Sequence, residues 1–230
     1  MNNVLLFSCP HSPYQHKDAW DFLREVAHKY NTTQTICLGD EGDYHAASFH
    51  VSDPRLPSAG DELDLLVNEL NKLSKIFPQM HILESNHGSL YFRKAQQAGI
   101  PRDALKPYNE VLGLPKTWVW HTELIINRPD GSKCLCVHQA GANAYLAAVA
   151  RRMNLIQGHY HTKHEVRIHA FPQGNLFGAT AGCLIDNQSL AFKYNKVYRN
   201  LPKLGCLVLG EVPIPVPMLL DRHQRWVGKI

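Results

Sequence analysis

Short apolar runs alternate with amphipathic stretches along the first half of the chain. The runs at 4–8, 35–39 and 81–84 have the length of buried strands. Between them, apolar residues recur at three- and four-residue spacing over residues 17–30 and again in a long segment that we expect Asp61 to cap. A shorter helix is predicted near 90–98. This alternation predicts βαβ units and a largely parallel sheet.

The second half of the chain has a different pattern. Residues 118–126 and 133–138 flank the turn sequence Arg128-Pro129-Asp130-Gly131, which predicts a hairpin. A helix at 142–153 and a buried strand at 155–157 follow. From 165 to 216 the alternation is of the β type, which predicts a mostly antiparallel second sheet packed against the first. The expected fold class is therefore α/β, with one domain over 1–230 built as a two-sheet β-sandwich flanked by helices.

Composition narrows the class of protein. A chain of 230 residues with 44% hydrophobic residues is able to bury the core of one α/β domain. No segment resembles a signal peptide, and no run approaches the ~20 apolar residues that span a bilayer, so we expect a cytoplasmic protein without a membrane partner. The six cysteines form no CxxC pair, which argues against a disulfide framework. The net charge of +4 permits an anionic substrate without requiring one.

The chain has fourteen histidines, which is an unusually high number. Several of them cluster with Asp and Asn directly after predicted strands. The segments are Cys9-Pro10-His11, Gly39-Asp40-Glu41-Gly42-Asp43, Ser85-Asn86-His87-Gly88, His138 and Gly158-His159-Tyr160-His161. One such segment is an ordinary polar turn more often than a metal site. Five of them at strand ends predict a metal centre, because the carboxyl ends of neighbouring strands meet in one crevice.

The order of these segments resembles a known family. D-x-H, G-D-x-x-D, G-N-H, H and G-H-x-H is the signature of calcineurin-like metallophosphoesterases, and the chain is similar to it from Cys9 to His161. The sequences at 85–89 and 182–186 resemble uncharacterised members encoded by tailed phages and prophages. The resemblance implies a four-layer αββα fold, hydrolysis of a phosphate ester, and a location in the cytosol of a bacterium or of a phage-infected host.

Carried over residue by residue, the resemblance implies two divalent transition-metal ions (Mn, Zn or Fe) bridged by Asp40. The remaining ligands implied are Cys9, His11 and His161 for the first ion and Asn86, His138 and His159 for the second. Two such ions activate a water molecule against phosphorus. The resemblance further implies that His87 protonates the leaving group as a general acid and that Asp43 orients His87.

Two positions depart from the family pattern. Cys9 stands where the family usually has Asp, and a soft sulfur ligand favours zinc or iron over magnesium. Cys9 is either a ligand or a bystander beside a weakly held first ion, and the sequence leaves both open. Ser85 replaces a Gly, a change that costs little unless the backbone there needs a positive φ.

Arg93 is the candidate substrate-binding residue. It follows the Asn86-His87 loop at the start of a predicted helix, together with Lys94, where a cation is able to hold a phosphate oxygen. The plainer interpretation is a solvated helix face.

Three functions fit the sequence. Hydrolysis of a phosphodiester, in a nucleic acid or a nucleotide, is the leading hypothesis. The alternatives are a phosphomonoesterase acting on a nucleotide, sugar phosphate or phosphoprotein, and a non-catalytic metal-binding scaffold, since a fold is able to lose its chemistry and keep a binding role. His87 favours an enzyme, because a degenerate site has no reason to keep an acid beside seven ligands. The sequence is also compatible with a homo-oligomer.

Overall fold

The computed structural model describes residues 3–49, 53–128, 130–172, 174–189, 191 and 201–230. The α-helices are α1 Ala19–Lys29, α2 Ala59–Ile76, α3 Leu90–Gln97, α4 Tyr108–Val111 and α5 Ala144–Arg151. The strands are β1 Asn3–Phe7, β2 Thr32–Cys37, β3 Met80–Leu83, β4 Trp118–His121, β5 Leu124–Asn127, β6 Lys133–Val137, β7 Asn154–Gln157, β8 His164–Phe171, β9 Gly174–Ala181, β10 Gly205–Leu209 and β11 Pro213–Pro217.

The strands form two sheets. A six-stranded sheet has the order β11-β10-β1-β2-β3-β4, and a five-stranded sheet has the order β5-β6-β7-β9-β8. In the first sheet β1 to β4 pair in parallel, as the βαβ pattern predicts. In the second sheet β6, β7 and β9 pair in parallel while β5 and β8 pair antiparallel at the edges. The expectation of a mostly antiparallel second sheet is therefore wrong in its centre.

The assignment of the last strands to the second sheet is also wrong. β10 and β11 extend the first sheet, and β10 pairs antiparallel with β1. Every residue of β10 is buried, because Leu207 and Leu209 face the second sheet while Cys206 and Val208 face the helices. Because all residues of β10 are buried, its sequence pattern does not show which of the two sheets it joins. Residues 173, 190 and 192–200 of the predicted segment lie outside the described residues.

The predicted run 118–126 is split between the sheets. β4 pairs with β3 in the first sheet, whereas β5 pairs with β6 in the second, and the chain crosses between them at Thr122 and Glu123. These two polar residues mark the crossing. The predicted hairpin is confirmed for β5 and β6.

Three apolar layers hold the sheets and helices together. On β1, Leu5 and Phe7 pack under α1 and α2, whereas Val4 and Leu6 face the second sheet. On the far side of the second sheet, α5 covers Leu135 among others. The order helix, sheet, sheet, helix confirms the predicted two-sheet α/β sandwich with flanking helices.

The N-cap of the long helix α2 lies three residues before the expected cap, Asp61. Ser58 has extended backbone angles and its hydroxyl accepts the N–H of Asp61 at 3.3 Å. Asp61 itself lies in the first helical turn, where a carboxylate is favoured by the helix dipole. Ser58 is therefore the N-cap, and the prediction of Asp61 is wrong.

The C-terminal segment is held against α1 by one carboxylate. Asp18 accepts hydrogen bonds from Arg225 Nε at 2.8 Å and from the Trp226 N–H at 2.9 Å. The Trp226 ring meets Phe22 edge to face at 5.7 Å between ring centroids. Hydrogen bonds from Arg225 lower the pKa of Asp18 to about 2.

Among the described residues, the helices are all too short or too polar to cross a membrane.

The Asp18 contact predicts a pH-dependent stability. Because the pKa of Asp18 falls from 3.8 to about 2 in the folded chain, its stabilisation is complete above about pH 4 and is lost as the pH falls through 2. We expect Asp18→Asn to lower the melting temperature at pH 7, with the difference from wild type closing towards pH 2. Calorimetry at a series of pH values measures this. Asp21→Asn, in the exposed Asp21–Arg24 pair of the same helix, is the control. A difference that persists unchanged at pH 2 would contradict the assignment.

Candidate metal centre

The five polar segments lie at the carboxyl ends of five strands. Three of these strands, β1, β2 and β3, are neighbours in the first sheet, and two, β6 and β7, are neighbours in the second. The two sheets face each other, so all five ends open at one edge of the sandwich. This is the convergence predicted from the sequence, although it draws on two sheets rather than one.

The first group of ligand atoms comes from Cys9, His11, Asp40 and His161. These atoms all lie within 4.8 Å of one another. His11 Nε2 is 3.1 Å from His161 Nε2 and 3.4 Å from Asp40 Oδ2. Cys9 Sγ is 3.7 Å from the same Asp40 oxygen. Two imidazoles, a carboxylate and a sulfur at this spacing form a donor set suited to a transition metal.

The second group surrounds the other side of Asp40. His138 Nε2 lies 3.3 Å from Asp40 Oδ2 and 2.8 Å from Asn86 Oδ1. His159 Nδ1 lies 3.1 Å from Asn86 Oδ1 and 3.3 Å from His138 Nε2. The structure thus brings together the four side chains implied for the second ion.

One oxygen, Asp40 Oδ2, is common to both groups. The other carboxylate oxygen, Oδ1, accepts the N–H of His87 at 3.1 Å, which fixes the plane of the carboxylate. Asp40 is 1% exposed, so water contributes almost nothing to the solvation of its negative charge. The donor set fits two cations that share Asp40, and the ligand roles of the seven residues remain predictions.

The backbone is strained where these ligands sit. Cys9, His11, Asp40 and His159 have φ values of 52°, 50°, 54° and 64°, in the left-handed region that non-glycine residues avoid. Each such residue costs on the order of 1–3 kcal/mol and persists only when its surroundings impose it. Four of the eight described non-glycine residues with positive φ are predicted ligands, so half of this strain lies at the candidate site.

Gly39 is required beside Asp40. Its φ is 99°, and a Cβ atom there would lie 2.6 Å from Ser85 Cβ and 2.7 Å from His138 Nδ1. A side chain at this position would therefore separate Asp40 from the second group of ligands.

Burial and charge set the protonation of the site. Burial alone would raise the pKa of Asp40, but His138 and His11 hold it well below its usual value. Burial also opposes a proton on His11, yet Asp40 and Asp43 raise its pKa well above normal. For His161, burial and the nearby His11 lower the pKa well below normal. Asp40 is thus anionic and His161 neutral, as cation binding requires, whereas His11 would have to release a proton to bind a cation.

His87 lies beside the first group, with its ring 4.5 Å from that of His11 between centroids. Its Nδ1 donates to the main-chain oxygen of Asp43 at 2.6 Å, while the Asp43 carboxylate oxygen Oδ1 is 3.4 Å away. That carboxylate is closer to His11 Nδ1, at 2.7 Å. Asp43 therefore contacts His87 mainly through its carbonyl group, and its side chain orients His11.

Several supporting groups were not predicted from the sequence. The Ser85 hydroxyl accepts the N–H groups of Asp40 at 2.8 Å and Gly88 at 3.0 Å, so Ser85 links two of the loops. Ser85 is not among the described residues with positive φ, which explains why the replacement is tolerated. The main-chain oxygen of Leu38 accepts from His138 Nδ1 at 2.7 Å and leaves Nε2 facing Asp40.

A second buried pair supports the Asp43 loop. Glu62 on α2 accepts from His45 Nδ1 at 2.8 Å and from the His45 N–H at 3.1 Å. Tyr14 lies 3.0 Å from the same ring nitrogen. Glu62 was invisible to the sequence analysis because it occupies the apolar stripe of a helix, where only the fold shows its partner.

Cys9 is placed as a ligand requires, although its role stays open. Its Sγ accepts the N–H of His159 at 3.2 Å and lies 2.8 Å from Ser8 Oγ. Burial and then the charge of Asp40 raise its pKa, which favours a thiol when no cation is nearby. A cation in the first group would reverse that balance.

The sequence matches no protein-family model and no curated protein sequence. Among solved structures, the chain is similar to YfcE, a phosphoesterase from E. coli, at 13% identity over 98% of this chain and 96% of that one, with a TM-score of 0.46. It is also similar to Vps29 from Chaetomium thermophilum, at 10% identity over 98% and 92%, with a TM-score of 0.45. Vps29 from Cryptosporidium parvum gives 15% identity over 91% and 86%, with a TM-score of 0.45. Similarity at this level says nothing about the chemistry of this chain, which rests on its own residues.

Gly39→Ala tests the packing at the centre. The added methyl group meets Ser85, His138 and a main-chain oxygen, and the backbone has an unfavourable φ, so we expect a loss of about 2–4 kcal/mol in the free energy of unfolding. Gly99→Ala is the matched control, because Gly99 has a φ of 78° but open space around it. Urea denaturation of both variants measures the difference. Equal losses would show that only the backbone angle matters.

Cobalt substitution tests Cys9. If its sulfur is a ligand, Co²⁺-loaded protein absorbs in the near ultraviolet through a thiolate-to-cobalt band, and Cys9→Ala abolishes that band. Cys206→Ala, which removes a buried thiol from the helix-side core, serves as the control. A band that survives in Cys9→Ala would make Cys9 a bystander.

Proposed function

We propose that this protein is a metal-dependent phosphoesterase that hydrolyses a phosphodiester, with His87 as general acid. The observation that carries the proposal is the single oxygen, Asp40 Oδ2, that belongs to two groups of metal-ligating atoms. Sites with two ions that share a ligand are typical of enzymes that displace a group from phosphorus.

Seven side chains would hold the ions, namely Cys9, His11 and His161 on one side, Asn86, His138 and His159 on the other, and Asp40 between them. Two divalent ions there would polarise the phosphoryl oxygens and make hydroxide available near neutral pH. The sulfur of Cys9 makes zinc or iron a better candidate than magnesium.

His87 is arranged to deliver a proton. Its Nδ1 hydrogen is held by the Asp43 carbonyl oxygen at 2.6 Å, so Nε2 is the nitrogen left to face a leaving group. The Asp43 carboxylate oxygen, 3.4 Å from Nδ1, stabilises a positive charge on the ring when Nε2 also carries a proton. About a quarter of the side chain is exposed, which gives a substrate access to it. A protonated Nε2 then neutralises the departing oxygen.

Arg93 supports an anionic substrate next to the ions. Its guanidinium group donates to the main-chain oxygen of Asn86, and it lines a cleft of about 440 Å³ together with Asn86 and His138. A cation fixed at this point is able to hold a non-bridging phosphate oxygen. The substrate is proposed to be a nucleotide or a nucleic acid strand.

His87→Ala tests the general acid. For a diester with an alcohol leaving group, we expect kcat to fall by about a hundredfold or more, since general acids contribute about 10²–10⁴. For a p-nitrophenyl ester, which leaves readily without a proton, the fall is much smaller. Metal content, measured by elemental analysis, stays at the wild-type value. A loss of the same size for both esters would refute the assigned role.

Asp40→Asn tests the shared ligand. This variant removes the anionic oxygen from both groups, so we expect loss of both ions and of all turnover.

Turnover by the wild type is compared on a generic diester and a generic monoester with Mn²⁺ and with Zn²⁺. Monoester cleavage without diester cleavage would replace the proposal with a phosphomonoesterase. Less than one ion per chain after reconstitution would favour a scaffold.

A further inference from the structure

Arg93 forms a wall between two neighbouring cavities. One is the cleft of about 440 Å³ that reaches Asn86 and His138. The other, of about 580 Å³, is lined by Phe49, Arg93, Gln96 and Gln97. A ligand that extends from the metal centre across Arg93 therefore enters the second cavity without leaving the protein surface.

Phe49 is an exposed aromatic ring with two cations over it. Phe49 is 44% exposed although the ring is large and apolar. Lys94 Nζ lies 4.2 Å and Arg93 Cζ lies 5.2 Å from the ring centroid. An accessible ring beside positive charges offers a stacking surface next to a site for an anion.

The charges along this path favour a negative ligand. The cleft beside Asn86 also contains Glu84. Arg102 on the neighbouring turn forms an ion pair with Glu84 and offsets the negative charge that would repel an anionic ligand. The rim residue Glu123 is the remaining carboxylate of that cleft. In the second cavity, Gln96 and Gln97 are neutral, and the only described charged residue of its lining is Arg93.

We propose that Phe49, Arg93 and Lys94 form a subsite for the nucleotide that adjoins the scissile phosphate of a single-stranded nucleic acid. This subsite rests on the proposed function, because it places the scissile phosphate at the metal centre. The next phosphate lies against Arg93 and Lys94, and the base of that nucleotide stacks on Phe49. A duplex does not fit the subsite, since its bases are stacked on one another and present no free face to the ring.

The test measures the binding of a fluorescent single-stranded oligothymidylate by fluorescence anisotropy. One series contains EDTA and a second series contains Mn²⁺. We expect Phe49→Ala to weaken binding about tenfold, the loss typical of one stacked base. Lys94→Gln should lower the slope of log K against log salt concentration by about 0.7, the change for one phosphate contact on a single strand. Labelled duplex of the same length should bind more weakly than the single strand.

Two matched variants serve as controls. Phe171→Ala removes a phenylalanine that is 43% exposed at the far end of β8, and Lys75→Gln removes an exposed lysine from the last turn of α2. Neither should change the affinity or the salt slope. If Phe49→Ala binds as tightly as wild type, or if the two control variants lose as much, the subsite is refuted.

Turnover separates this inference from the proposed function. With an active enzyme, Phe49→Ala should lower the ratio of kcat/KM for the oligonucleotide to that for bis(p-nitrophenyl) phosphate about tenfold. Binding that depends on Phe49 without any turnover would keep the subsite and overturn the hydrolase. Turnover of the small diester with no dependence of oligonucleotide affinity on Phe49 would keep the hydrolase and overturn the subsite.

Discussion

The buried carboxylate of Asp40 is the constraint on which the rest of the site depends. Removing an anion from water costs several kcal/mol unless the protein supplies compensating charge and hydrogen bonds. The chain provides them from several directions: imidazoles of His11 and His138 beside Oδ2, and the N–H of His87 on Oδ1. The left-handed turns at four of the predicted ligands add strain at the same place. Cations bound at the two groups of atoms around Oδ2 would offset both costs.

Each half of the site is drawn from both sheets. Asp40 and Asn86 follow strands of the first sheet, whereas His138 and His159 follow strands of the second. Each group of candidate ligand atoms therefore comes together only when the two sheets pack face to face. An ion bound there would for this reason stabilise the closed sandwich, since whatever binds the closed form alone also stabilises it.

The sequence predicts that the site residues converge, and it predicts the fold class, but it does not predict which sheet each strand joins. Convergence of strand ends follows from parallel pairing and needs no knowledge of which sheet a strand joins. The sheet itself is decided by long-range contacts, so the crossing at Thr122 and the return of β10 to β1 were missed. Within the site, the motif gives the identity of Asp43 but not that its carboxylate turns to His11. Ser85 and Glu62 were missed because their partners come from distant segments.

The absence of a side chain at Gly158 sets how closely the two halves approach. A Cβ atom there would lie 1.9 Å from Ser8 Oγ, so the loop carrying His159 rests directly on the residue before Cys9. A single methyl group at this crossing would push the second sheet's histidines outward from the first sheet's ligands. The spacing between the two groups of candidate ligand atoms is thus limited by the hydrogen atom at Gly158, a residue that supplies no candidate ligand itself.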